Sequence, residues 1–292
     1  MRTLLAVDIT EDTEDLQDVV RPLLQRFDGP VDLLHVARPA AFDDAGPELR
    51  KLLDAAVIQQ DLAWQERLRQ VQATLVPEGR RGEVSVERSP GAAEAIVRAA
   101  QGYDLLVVGT HGRTGPARAW AGSVAERVVR SSPIPVLVAR GRSRGLGRML
   151  LAVDLSPSAP EGEAEAVLCA GAARGEELGM VVDVVYVRPS PAVLTPESGL
   201  AWRHLEEAME ELERSSKRQI RERLATWPEG VAGIALVETG DIVRSVVEKA
   251  DSYDVVMVAT HGRRGMQRMW LGSVAERVVR LCDAPVLVVP VS

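Results

Sequence analysis

Short runs of consecutive apolar residues alternate along this chain with longer stretches in which apolar positions recur at helical spacing. Runs such as 105–109 and 135–139 are apolar at successive positions, which is typical of strands covered by helices on both faces. The first half therefore predicts a parallel sheet with helices on both sides. Its predicted strands lie at 3–8, 31–36, 83–88, 104–109 and 134–139.

The second half repeats this pattern. Residues 109–140 and 259–290 are identical at about 20 of 32 positions without a gap, and self-similarity of this length identifies a tandem duplication. The chain thus predicts an α/β fold of two repeated, doubly wound parallel-sheet domains. A long charged helix is predicted near 197–226, and the strands of the second copy near 148–153, 181–187, 231–237, 254–259 and 285–290.

A glycine-rich and arginine-rich segment separates the two copies. Residues 140–148 contain three glycines, a serine and four arginines, a composition typical of an exposed linker. We therefore predict one domain at 1–142 and a second at 143–292. A chain of 292 residues is long enough for two domains that each bury a core.

The composition of the chain limits the classes of partner and of site that are expected. The formal net charge of −7 does not favour nucleic acid or an anionic membrane as a partner. Neither a signal peptide nor a run of bilayer-spanning length is present, so we expect a cytoplasmic protein. Cys169 and Cys282 lack metal-site spacing and are predicted to be buried free thiols; no metal site is predicted.

An aspartate follows the first apolar run of each copy, as Asp8 and Asp154. Ligands of open parallel sheets bind beyond the carboxyl ends of the strands, where a carboxylate can accept hydrogen bonds from a nucleoside. The alternative is that each aspartate caps the turn that follows it. Recurrence in both copies favours a ligand role.

A loop with the spacing Gly-x2-Gly-x9-Gly-Ser follows the fourth predicted strand of the first copy and recurs, with one change, in the second. Residues without Cβ let backbone N–H groups approach a phosphate, and the helix that begins at the end of the loop favours an anion at its amino terminus. The alternative is a capping box, Ser123 with Glu126 and Ser273 with Glu276, that needs no ligand.

These motifs, with the run 103–113 and the closing Pro-Val-Leu-Val of each copy, make nearly the whole chain resemble the universal stress protein family in its ATP-binding branch. The resemblance implies a Rossmann-like nucleotide-binding fold with five strands per domain in the order 3-2-1-4-5. It also implies one ATP per repeat, with or without Mg²⁺, between the first and fourth strands.

Carried over position by position, the resemblance implies a set of cofactor-binding residues in each copy. In the first copy these are Ala6, Val7, Asp8, Val36, Gly109, Gly112, Arg113, Gly122, Ser123 and Val124. In the second copy they are Ala152, Val153, Asp154, Val187, Ala259, Gly262, Arg263, Gly272, Ser273 and Val274. Val36 and Val187 would meet adenine through their backbones, and Arg113 and Arg263 are secondary candidates for the phosphates.

Ala259 departs from the pattern, because it replaces the first glycine of the loop. Alanine would cost about 1 kcal/mol or more at positive φ, whereas at negative φ its cost is only steric. We hypothesise that both sites bind ATP and that the first site binds it more tightly.

Signs of an enzyme are few. No Gly-Lys-Ser/Thr loop is present, no lysine lies near either glycine loop, and no catalytic residue is predicted. His111 and His261 are interpreted as hydrogen-bonding loop residues. The sequence thus favours an ATP-binding regulatory or sensor protein of the stress response, with a slow ATPase or phosphoryl-transfer enzyme, and a scaffold with vestigial pockets, as alternatives.

The apolar fifth strands would each lie at a sheet edge, where unpaired backbone groups invite a neighbouring strand. We expect these edges to pair within one chain, as a pseudo-dimer, or between chains, as a homodimer. Other protein partners cannot be named from the sequence.

Overall fold

A computed structural model of the chain describes residues 1–10, 13–26, 28–40, 46–109, 123–141, 145, 147–189, 200–261 and 272–291. The chain divides into two compact units between Ser143 and Arg144. Within the described residues, each unit contains five strands and four α-helices.

The first unit is a parallel sheet in the order β3-β2-β1-β4-β5. Its strands are β1 (Thr3–Ala6), β2 (Val31–Ala37), β3 (Arg81–Arg88), β4 (Leu105–Gly109) and β5 (Val136–Ala139). Its helices are α1 (Glu14–Leu24), α2 (Pro47–Leu75), α3 (Ala92–Ala99) and α4 (Ser123–Ser131).

The second unit repeats this topology in the order β8-β7-β6-β9-β10, with every pair parallel. Its strands are β6 (Arg148–Ala152), β7 (Val181–Arg188), β8 (Ala232–Thr239), β9 (Val255–His261) and β10 (Val286–Val291). Its helices are α5 (Glu163–Leu178), α6 (Leu200–Leu224), α7 (Ile242–Ala250) and α8 (Ser273–Leu281). The predicted α/β fold and its strand order 3-2-1-4-5 are confirmed.

Apolar strands of both units are buried on both faces, as their sequences predict. Residues 105–108 of β4 and 286–289 of β10 are at most 5% exposed. Helices cover both sides because each parallel connection must cross over the sheet. No helix in the described part of the chain is long and apolar enough to cross a membrane.

A buried aspartate near the start of β2 organises the amino-terminal edge of the first sheet. Asp32 is 4% exposed and accepts hydrogen bonds from the Arg2 guanidinium (2.7 Å) and the Tyr103 hydroxyl (2.6 Å). It also accepts one from the backbone N–H of Glu83 in β3 (2.7 Å). One carboxylate therefore ties β2 to β3 and to the residues that lead into β1 and β4.

The second unit contains the same network around Asp183, whose side chain is fully buried. Asp183 accepts hydrogen bonds from the Arg148 guanidinium, the Tyr253 hydroxyl (2.8 Å) and the N–H of Ile234 in β8 (2.8 Å). Its neighbour Gly233 admits no side chain, because a Cβ there would overlap the carboxylate.

The tyrosines of the two networks are held in their neutral form. Burial, together with the hydrogen bond to Asp32, raises the pKa of Tyr103 to about 12. Burial and the bond to Asp183 raise the pKa of Tyr253 in the same way. Burial alone would raise the pKa of Asp32, but the bonds from Tyr103 and Arg2 outweigh it and the pKa is lowered.

One expectation about the cysteines is wrong. Cys282 is buried after α8, but Cys169 is exposed. Cys169 lies on the outer face of α5, where its thiol is 3.7 Å from the carboxylate of Glu165 one turn earlier. Helical sequence alone did not reveal which face of α5 this residue occupies.

Replacing the buried carboxylate should destabilise the second unit. Asp183→Ala leaves the Arg148 guanidinium and the Tyr253 hydroxyl without their acceptor, and we expect the free energy of unfolding to fall by about 3 kcal/mol. Tyr253→Phe removes one hydrogen bond and should cost about 1 kcal/mol. Urea unfolding followed by circular dichroism measures both, with the exposed Glu210→Ala as a control. Equal losses for the Asp183 and Tyr253 variants would contradict the central role of the carboxylate.

Candidate functional site

A cavity of about 230 Å³ opens at the carboxyl ends of β6, β7 and β9 in the second unit. It is lined by all eight of the predicted second-copy residues that the structure describes: Ala152, Val153, Asp154, Val187, Ala259, Gly272, Ser273 and Val274. The other two, Gly262 and Arg263, lie outside the described residues. The structure thus brings together side chains that are far apart in sequence.

The walls of the cavity are largely apolar. Ile242 and Val246, one turn apart on α7, line it together with Val185 of β7 and Val258 of β9. Sequence reasoning missed these residues because each also fits a core position. The i, i+4 spacing on α7 was the signal available, but it does not say which end of the sheet the helix face covers.

Asp154 caps the turn that follows it, which was the alternative to a ligand role, and it also lines the cavity. The backbone N–H of Ser156 donates to its Oδ1 (2.8 Å). This bond holds the turn that follows β6, which ends at Ala152. In the first unit, Asp8 Oδ1 accepts the N–H (3.0 Å) and the hydroxyl (2.6 Å) of Thr10. The aspartates hold the turns at the strand ends, where a ligand of an open sheet would bind.

Helix α8 presents its first turn to the cavity. Its N-cap is Gly272, which makes no side-chain cap bond, and Ser273 is the first helical residue. The capping box expected for Ser273 and Glu276 is therefore not formed, because both residues lie one position too far into the helix. Backbone N–H groups of this turn supply partial positive charge, and Gly272 to Ala275 all line the cavity.

The backbone of Val187 faces the space beyond the end of β6, on the side of β7 where β6 is its neighbour. The N–H of Val153 donates to the C=O of Val185 (3.0 Å), whereas the N–H of Val182 donates towards β8, to Val231 (2.8 Å). Backbone groups alternate in direction along a strand, so those of Val187 point to the same side as those of Val185. They therefore face the cavity edge beyond Ala152.

Ala259 is accommodated without backbone strain. No residue other than glycine has positive φ in the described part of the chain, and Ala259 is paired with Val289 in the parallel ladder. Gly109 is not among the glycines with positive φ either. The substitution of alanine for glycine thus adds a methyl group to the cavity lining and has no conformational cost.

The first unit arranges its described site residues in the same way. Ala6 lies opposite Val108, one residue before Gly109, at the carboxyl ends of the neighbouring strands β1 and β4. The N–H of Val7 donates to the C=O of Leu34 (2.9 Å). The backbone of Val36, two residues further along β2, therefore faces the space beyond the end of β1, as the backbone of Val187 does beyond the end of β6.

Helix α4 begins at Ser123, and Val124 follows it in the first turn. Gly112, Arg113 and Gly122 lie outside the described residues, as does His111.

One polar contact distinguishes the two units. The Nδ1 atom of the buried His35 is 3.0 Å from the carbonyl oxygen of Val7, directly before Asp8. Tyr186 occupies the matching position in β7, where burial and then the Asp154 carboxylate raise its pKa. Within the described residues, no cluster of three or more His, Cys, Asp or Glu side chains could hold a metal ion.

Comparison with family models identifies one family for both repeats. The model of the universal stress protein family matches residues 1–140 and again 145–290. The chain is 28% identical over 273 residues to a universal stress protein of Mycolicibacterium smegmatis, covering 90% of this chain and 87% of that one. It is also 28% identical over 194 residues to a universal stress protein of Mycobacterium tuberculosis, covering 63% and 61% of the two chains.

A solved structure supports the fold. The universal stress protein from Archaeoglobus fulgidus superposes with a TM-score of 0.64 at 19% identity, covering 99% of this chain and 98% of the other. At this identity the likeness concerns the fold alone.

Asparagine and alanine variants should show whether Asp154 holds its turn as a hydrogen-bond acceptor or through its charge. Asp154→Asn keeps an oxygen that can accept the N–H of Ser156, so stability should change little, whereas Asp154→Ala should cost about 1 kcal/mol. Urea unfolding of both variants and the unchanged chain measures the difference. If the asparagine variant were as unstable as the alanine variant, the charge of Asp154 would hold the turn rather than the acceptor.

Proposed function

The chain belongs to the universal stress protein family, and from that premise we propose that it binds ATP, with or without Mg²⁺, at one site in each repeat. The family assignment supports a role in the stress response. We further propose that nucleotide occupancy regulates the contacts of this protein with its partners, so that it acts as a sensor.

The observation that carries the proposal is that the second-unit cavity combines apolar walls with a carboxylate and a helix amino terminus. Apolar walls from β7 and α7 suit an adenine ring, and the backbone of Val187 offers it a donor and an acceptor. Asp154 lies between these walls and β9, where it can accept from ribose hydroxyls. The amino terminus of α8 suits the phosphates, because its N–H groups and its dipole favour an anion.

The described walls would enclose part of such a ligand. The cavity volume of about 230 Å³ is just below the roughly 300–1,000 Å³ typical of ligand pockets. The loop that contains Gly262 and Arg263 lies outside the described residues, and its sequence predicts that it binds the phosphates.

The test is the nucleotide content of the purified protein. The chain is purified under native conditions and denatured, and the released small molecules are identified by chromatography and mass. We expect about two ATP per chain, or about one if the second site is weak. Release of ADP alone would indicate hydrolysis, and a protein that neither releases nor binds adenine nucleotide would contradict the proposal and leave a scaffold with vestigial pockets.

Exchanging glycine and alanine at the matched loop positions should exchange the affinities of the two sites. Because neither position has positive φ, the added methyl group causes no backbone strain. Gly109→Ala should therefore weaken the first site, and Ala259→Gly should strengthen the second, each by about three- to tenfold. Isothermal titration with ATP resolves the two sites. Affinities that stay unchanged in both variants would refute the ranking of the first site above the second.

A further inference from the structure

The amino-terminal part of α2 is only lightly covered by its own unit. The buried residues of this 29-residue helix all lie near its carboxyl end: Leu68, Val71, Gln72 and Leu75. Residues 47–67, all of which the structure describes, include no buried side chain. Four large apolar side chains of this part are nevertheless more than half exposed: Leu49, Leu52, Ile58 and Leu62. A helix in water gains most of its stability from packing of its apolar face, so these side chains indicate a surface that a partner covers.

Most of these side chains belong to one stripe along the outer side of α2. Positions 48, 52, 55, 59, 62, 66 and 69 follow one another at alternating steps of four and three, so they share a helix face, and all of them are exposed. Positions 51 and 58 flank this face and are exposed as well. The middle of this α2 stripe is apolar except for Gln59, with Leu52, Ala55, Ile58 and Leu62. Each end contains one acid and one base, with Glu48 and Lys51 at the first end and Glu66 and Arg69 at the second.

The matching helix of the second unit has polar and charged residues in place of the apolar middle. Helices α2 and α6 align at an offset of 152, which matches the fully buried Leu68 with Ile220 and the arginine-paired Asp61 with Glu213. At this offset the apolar middle of the stripe falls on exposed residues of α6: His204, Glu207, Glu210 and Arg214. The fold therefore does not require apolar residues on this face, and the α2 stripe is a feature of the first unit.

We propose that the α2 stripe is the interface of a homodimer, in which α2 of one chain packs antiparallel against α2 of a second copy. Charge identifies the second copy as the occupant, because the stripe is complementary to itself. With a twofold axis near residues 58 and 59, Lys51 lies opposite Glu66 of the second copy and Glu48 opposite Arg69, and the symmetry repeats both pairs. A parallel arrangement would instead place each of these charges beside its own copy.

The contact extends from position 48 to position 69, over about 32 Å of helix. Its apolar middle packs on the same residues of the second copy, so one exposed face covers the other. This interface is different from the edges of the fifth strands, where pairing within or between chains is also expected.

Sedimentation equilibrium of the full chain measures the assembly. We expect a reversible dimer of twice 31.6 kDa at protein concentrations of about 10–100 µM. Ile58→Glu combined with Leu62→Arg gives α2 the residues of α6 at these positions and should raise the dimer Kd by on the order of a hundredfold. The control is Leu212→Glu, since Leu212 is equally exposed but lies on α6, and its Kd should stay unchanged. Circular dichroism and urea unfolding verify that the variants are folded.

A charge exchange tests the antiparallel arrangement. Lys51→Glu would oppose Glu66 of the second copy, so we expect the Kd to rise by about three- to tenfold. Adding Glu66→Lys restores opposite charges at both symmetric contacts, and the Kd should return most of the way to that of the unchanged chain. A double variant that dimerises no better than Lys51→Glu alone would refute the antiparallel pairing.

Two results would overturn the interface itself. One is a chain that stays monomeric at about 100 µM. The other is a dimer whose Kd is the same with and without the Ile58 and Leu62 substitutions, which would place the contact elsewhere, as at the fifth strands. Neither result depends on nucleotide binding, so this inference and the proposed function succeed or fail separately.

Discussion

The buried carboxylate at the start of the second strand, Asp32 in one unit and Asp183 in the other, is the interaction on which the sheet depends. A charge removed from water is tolerated only when its oxygens are saturated with donors, and here an arginine, a tyrosine and a backbone N–H from three other segments supply them. The carboxylate therefore fixes how the first four strands begin relative to one another, which apolar packing alone would leave open to a shift of register.

This network places the polar interactions that hold the fold at one edge of the sheet and the candidate site at the other. The amino-terminal edge contains the arginine, aspartate and tyrosine of each unit. The carboxyl-terminal edge contains Asp154, the Val187 backbone and the first turn of α8, around a cavity with valine-rich walls. Parallel strands make this separation possible, because all their carboxyl ends lie at the same edge.

The sequence predicted the strands well because runs of consecutive apolar residues fit strands that helices cover on both faces. It also predicted that the second-copy motif residues lie together, because residues at the carboxyl ends of neighbouring parallel strands must converge. It could not decide the role of Asp154, since an aspartate at the end of a strand is compatible with both a ligand site and a turn cap. The N-cap of α8 differed by one residue, at Gly272 instead of Ser273, and that shift removed the capping box. Glu163, the first residue of α5, also lines the cavity. The sequence did not reveal it because only the packing of α5 shows that its first turn faces the cavity. The Asp183 network was missed because its members lie far apart along the chain.

The closeness of Gly233 to Asp183, and of Gly82 to Asp32, has an evolutionary consequence. In each pair a Cβ on the glycine would occupy the place of the aspartate carboxylate, so neither partner can drift to a larger side chain on its own. Such pairs persist through a gene duplication as fixed points, whereas positions such as 109 and 259, or 35 and 186, diverge between the copies. The tandem chain can thus explore new ligand chemistry in one repeat on a scaffold that both copies conserve.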